Sequence, residues 1–253
     1  MHINEERLNQ NGCLMKIVEY IDNRNIVVEF QDKYKARVKT SYGNFKNGIV
    51  RNPYYPTVCG VGITGNRYPI VKNKRPTKEY NAWLRMLNRY FDETVKNEQP
   101  TYKDVSICNE WLLFDNFYEW LHLQPNFKKW DINKRWAIDK DILVKGNKTY
   151  SPETCCIVPQ NVNCLFLKRE AERGLYPIGV RYTDSGFVAK CHNPFTNKGE
   201  DLGSYSTPEK AFYVYKDYKE DIIKQVANIE YNAGNITKAC YEAMMNYEVE
   251  IDD

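Results

Sequence analysis

The sequence predicts an α+β protein: a small N-terminal β-sheet or barrel, a centre mixing helices with two strands, and a C-terminal three-stranded antiparallel sheet plus helix. Three observations carry this. Short β-branched runs follow one another at turn spacing before residue 65, two aromatic stripes at helical spacing follow, and near residue 180 three strand-like runs lead into a capped helix.

In the first stretch, residues 1–66, "LMKIVEY" and "NIVVEF" alternate or run β-branched, and "IDNRN" between them supplies Asp and Asn for a hairpin turn. "YKARVKTSY" and "GIV" continue the strand pattern, and "GVGITGN" closes it. Nothing there has the look of catalysis, so the expectation is an accessory binding surface or a scaffold.

In the second stretch, residues 67–173, "TKEYNAWLRMLNRYFDE" places Tyr80, Trp83, Leu84, Leu87 and Phe91 on one helical face, with Arg85 and Arg89 on another. "NEWLLFDNFYEWL" repeats the pattern with Trp111, Phe114, Phe117, Trp120 and Leu121, and both stripes read as core. Then comes "AIDKDILVKGNKTYSPETCCIVPQNVN", residues 137–163: an acidic strand end, a glycine turn, a second strand and the start of a helix read to stop at Gly174.

In the third stretch, residues 174–253, "IGVRYT", "FVAKCH" and "DLGSYS" are separated by turn-rich "DSG" and "NPFTNKGE". The helix after them has Thr207 as N-cap, Pro208 at its first position and Glu209 in its first turn. Ala211, Val214, Tyr215 and Tyr218 form the stripe that would cover the sheet, and helical character continues weakly beyond Ala227.

The net charge of +3 says less than its distribution. Arg67, Lys72, Lys74, Arg75, Lys78, Arg85 and Arg89 face a single Glu79, and residues 128–148 add seven more cations. Two basic stretches flanking the candidate motif at residues 137–163 point toward a polyanionic partner. The start is polar and no apolar run approaches the length of a membrane span, so neither a secretory signal nor a membrane segment is expected. The eight cysteines contain no C-x-x-C pair, so no zinc is expected.

Two resemblances rest on these residues. Gly179-Val180-Arg181, Phe187-Val188-Ala189, Leu202-Gly203-Ser204-Tyr205, Thr207, Glu209, Ala211 and Tyr215 resemble the APETALA/ethylene-response-factor DNA-binding domain. That resemblance implies a sheet lying in the major groove of double-stranded DNA, with contacts at Arg181, which keeps the family's arginine, and at Lys190 and His192, which replace a glutamate and an arginine; Thr183, Ser185 and Asp201 replace further basic or tryptophan contacts. "YNAWLRMLNRYF", "PTYKDVSICNEWLLFDNFYEWL", the "DKDIL" run with its "KGNK" turn, and the closing "VPQNVN" resemble bacteriophage HNH-type homing endonucleases, whose core is a ββα-metal fold. This implies metal-dependent hydrolysis of DNA by a phage- or prophage-encoded protein in the bacterial cytoplasm.

Under the second resemblance Asp139 is the metal-binding acid, Asn163 the helix ligand with Asn161 as a second candidate, and Lys140 occupies the position of the histidine base. At a reference pKa of about 10.4, only about one lysine in a few thousand is unprotonated at pH 7. A protonated Lys140 would instead contact phosphate or developing charge, leaving water activation to the metal or to Asp141. If residues 139–141 are extended, Asp139 and Asp141 share one face and Lys140 points the other way. Asp139, Asp141 and Asn163 would then form an oxygen site suited to Mg²⁺ or Mn²⁺. The alternative for the same residues is an ordinary salt-bridged strand end. Three functions stay open: a nuclease, a DNA-binding protein derived from one, and a protein-interaction module.

Overall fold

A computed structural model describes residues 2–98, 104–132, 135–167 and 175–253. The fold is mixed α+β with several small sheets, and it divides into two compact units, Met1–His122 and Leu123–Asp253. The division falls inside the stretch that the sequence grouped as residues 67–173.

The first unit opens with an antiparallel meander of β1 (Glu6–Leu8), β2 (Leu14–Asp22), β3 (Asn25–Phe30) and β4 (Arg37–Thr40). Alternation does the work here. Met15 and Ile17 of β2, with Ile26, Val28 and Phe30 of β3, turn to one face and are buried there with Phe45 and Val50. The "YKARVKTSY" run is only half a strand. Ser41 accepts a hydrogen bond from the Asn44 amide and starts α1 (Tyr42–Lys46), which delivers Phe45 to the core. "GIV" is not a strand either: Gly48, in the left-handed region at φ +68°, ends that turn.

A two-residue ladder follows, β5 (Val71–Lys72) with β6 (Arg75–Pro76), and Thr77 then caps α2 (Lys78–Phe91). The expected stripe packs as Trp83 and Leu87, joined by Met86, and the Trp83 indole donates to the Trp111 carbonyl at 2.7 Å. After the short α3 (Glu93–Glu98) and β7 (Ser106–Ile107), α4 (Phe114–Leu123) buries Phe114, Phe117 and Leu121. It also buries Asp115, whose carboxylate takes Arg67 Nε at 3.3 Å.

In the second unit, α5 (Phe127–Ile132) precedes β8 (Trp136–Asp139), β9 (Thr149–Tyr150), β10 (Cys156–Pro159) and α6 (Gln160–Leu165). β8 and β10 pair antiparallel from Trp136↔Pro159 to Asp139↔Cys156. The helix read as far as Gly174 ends at Leu165, and residues 168–174 lie outside the described residues. β11 (Val180–Thr183), β12 (Gly186–Asn193) and β13 (Lys198–Tyr205) form the expected three-stranded antiparallel sheet.

Thr207 caps α7 (Pro208–Asn232), which runs farther than the sequence implied, and α8 (Lys238–Met245) follows. At about 1.5 Å per residue α7 is long enough to serve two cores. Its first half sets Ala211, Phe212 and Tyr215 against the sheet. Its second half sets Ile222, Ile223, Val226 and Ala227 against Cys156 and Val158 of β10, Val162 and Leu165 of α6, and Cys240 and Met244 of α8. Gly179 sits at φ +76° where a Cβ would strike the Tyr215 ring, so glycine permits the close approach of helix and sheet.

Candidate functional site

The strand β8 stops at Asp139 for a local reason. Its Oδ1 accepts the backbone N–H groups of Asp141 and Ile142, both at 2.9 Å, so the side chain turns the chain out of extended geometry. Lys140 therefore does not point away from Asp141, as an extended 139–141 would require. Its Nζ donates to Asp141 Oδ2 at 3.1 Å and to the Asn147 carbonyl at 3.4 Å. The Lys140 side chain keeps only 13% of its exposure and Asp141 keeps 43%, so the ion pair lies at the mouth of the turn.

Asn147, which no strand or helix pattern singles out, holds this turn together. Its Nδ2 donates to the Lys140 carbonyl at 2.5 Å and to the Thr149 carbonyl at 2.8 Å, and its Oδ1 accepts the Thr149 N–H. The signal was present in "KGNK": Gly146 at φ +76° lets the chain reverse, and an Asn beside such a glycine commonly bonds nearby backbone. Tyr150 is buried, with its ring centroid 6.0 Å from Lys140 Nζ.

Asp139 is the most perturbed carboxyl here. Burial first, then the charge of Asp141 and a hydrogen bond to its side chain, push Asp139 up to about 7, against the pull of the two backbone donors. The charge of Asp139 contributes in turn to raising the buried thiols: Cys155, mainly through burial, to about 12, and Cys156, mainly through a hydrogen bond with Cys240, well above its ordinary value. A carboxyl that ionises near neutrality beside a second carboxylate can exchange a proton or take a cation.

The residues fit a hard divalent ion in part. Two oxygen-bearing side chains crowd like charge together, and the Lys140 ammonium offsets part of it. Asn163, half-buried on α6, makes no hydrogen bond to either carboxylate, and Asn161 donates instead to Glu230 at 2.7 Å. Among the described residues no group of three or more His, Cys, Asp or Glu side chains is arranged around a common ion position. His122 pairs with Glu79 at 3.3 Å, and His2 with Glu5 at 3.1 Å.

The C-terminal sheet presents Arg181, Lys190 and His192 on strands, all three exposed. β11–β12 register pairs Arg181 with Val188, and β12–β13 register pairs Lys190 with Asp201 and His192 with Gly199. Ala189 and Cys191, on either side of Lys190, point to the helix side. The open face is less positive than three basic residues imply. Asp201 takes Arg181 Nη2 at 2.8 Å and lies 3.8 Å from Lys190 Nζ, so one carboxylate answers two cations.

No family model, curated protein or solved structure matches this chain. No described helix is long and apolar enough to cross a membrane.

Proposed function

We propose that the protein is a DNA-binding endonuclease of the phage HNH-like type, with a strand–strand–helix site at β8, β10 and α6 and a duplex-holding sheet at β11–β13. The observation that carries this reading is the crowded Asp139–Asp141 pair at the end of β8, with Asp139 pushed up to about 7. Asp139 and Asp141 would hold Mg²⁺ or Mn²⁺, with Asn163 as the helix donor. When bound, the ion would supply Lewis-acid stabilisation of the leaving oxygen. Asp141, the more exposed carboxylate, is placed to accept a proton from water. Lys140, whose ammonium pairs with Asp141, would meet a phosphate oxygen. Arg181, Lys190 and His192 would contact the duplex backbone.

One observation favours a second reading, a DNA-binding protein without cleavage. The Lys140 ammonium lies within hydrogen-bonding reach of Asp141 and supplies countercharge with no ion needed. Supercoiled plasmid incubated with the pure chain and millimolar Mg²⁺ or Mn²⁺ separates the two. Nicking that Asp139→Ala abolishes supports the nuclease. Salt-sensitive binding with no nicking in either metal overturns it in favour of the second reading.

A further inference from the structure

The ladder of β5 and β6 has no evident structural task for its side chains. Its turn is Asn73-Lys74, both left-handed at φ +52° and +61°, the geometry of the tight two-residue hairpins that match strand twist. Every residue from 71 to 76 is exposed. The register sets Lys72 directly opposite Arg75, and Lys74 adds a third cation at the tip. Like charges facing each other across a ladder destabilise it. Among the described residues no acid pairs with any of the three. The hairpin is nonetheless anchored at its base: the Thr77 N–H donates to the Ile70 carbonyl at 3.0 Å, and Thr77 then caps α2.

We propose that this hairpin is a second nucleic-acid contact, a cationic arm that meets the phosphate backbone of duplex DNA. Three cations in four residues, with Val71 and Pro76 as the adjoining apolar groups, suit a partner dense in negative charge and poor in apolar contact. Protein interfaces have the opposite character, with charge depleted and aromatics enriched at their centre. A two-stranded ribbon is also narrow enough to lie along or within a major groove about 12 Å wide. The choice of duplex DNA rests on the DNA-binding part of the proposed function and not on cleavage.

The test uses the full chain and a fluorescent DNA duplex, titrated by anisotropy at several salt concentrations. The triple variant Lys72→Ala/Lys74→Ala/Arg75→Ala should bind about tenfold more weakly, and its log–log salt slope should be shallower by about 2 to 3 units. Its melting temperature should hold or rise, because a like-charge pair has gone. If alanine disturbs the ladder, Lys72→Gln/Lys74→Gln/Arg75→Gln tests the same charges. Lys72→Arg/Lys74→Arg should retain wild-type binding. An unchanged affinity and slope in a folded triple variant overturns the proposal, as does a wild type that binds no DNA. Preferential displacement of DNA by polyglutamate would overturn it in favour of an acidic protein partner. Wild-type binding without plasmid nicking removes the nuclease reading and leaves the arm standing.

Discussion

The carboxyl of Asp139 makes a quantitative prediction about stability. Its acid form is favoured in the folded chain, where it is pushed up to about 7, against an unfolded value of about 3.8. Well below pH 3.8 both states hold the proton and the shift contributes no difference. As pH rises from about 4 to 7 the unfolded chain releases its proton first, so folded stability falls, and above 7 the loss is complete. Three units at about 1.4 kcal/mol each put that loss at about 4 kcal/mol, an upper figure because Asp141 shares the titration. Asp139→Asn keeps an Oδ1 for the Asp141 and Ile142 N–H groups and never ionises. In chelator, urea unfolding followed by circular dichroism should find variant and wild type within about 1 kcal/mol of each other at pH 4. The variant should be more stable at pH 8 by up to about 4 kcal/mol. A gap that does not grow with pH refutes the assignment of burial and like charge to this residue. Mn²⁺ at a hundred times its Kd should restore about 2.7 kcal/mol to the wild type at pH 8 and nothing to the variant. Restoration of both, or of neither, counts against the ion site.

Two further predictions address the sheet and the first unit. Asp201→Asn leaves Arg181 and Lys190 without their shared carboxylate, so duplex affinity should rise about fivefold and the salt slope steepen by about one unit in anisotropy titrations. Unchanged or weaker binding would remove this face as a DNA contact. Gly65→Ala should lower stability by about 3 kcal/mol, read as a fall in melting temperature, because φ is +66° and a Cβ there would collide with the buried Asp115 carboxylate, which pairs with Arg67. A variant melting with the wild type would show that the carboxylate can move, contrary to its zero exposure.

Much of the architecture was legible because its causes are local. Alternation over residues 14–30 marks β2 and β3, Thr207 and Pro208 mark the start of α7, and the turns between residues 180 and 205 mark three strands. α1 escaped notice because five residues are too short to show a helical period, and its signal is a single Ser41 cap inside a β-branched run. The extended geometry considered for 139–141 does not occur for a similar reason. One hydrogen-bonding aspartate can end a strand, and strand periodicity says nothing about where that happens.

The sequence by itself determined the mixed class, the existence of its strongly periodic elements and the grouping of Asp139, Lys140 and Asp141, since neighbours in the chain remain neighbours in space. Only the tertiary structure decided what those groups meet. Burial of Asp139 depends on the packed surroundings of β8, and the pairing of Asp201 with Arg181 depends on strands twenty residues apart. Likewise, α7 becomes the shared wall of two cores because its later apolar residues find β10, α6 and α8. Local hydrogen bonding and periodicity are written residue by residue. Desolvation and charge pairing belong to whatever the fold brings alongside.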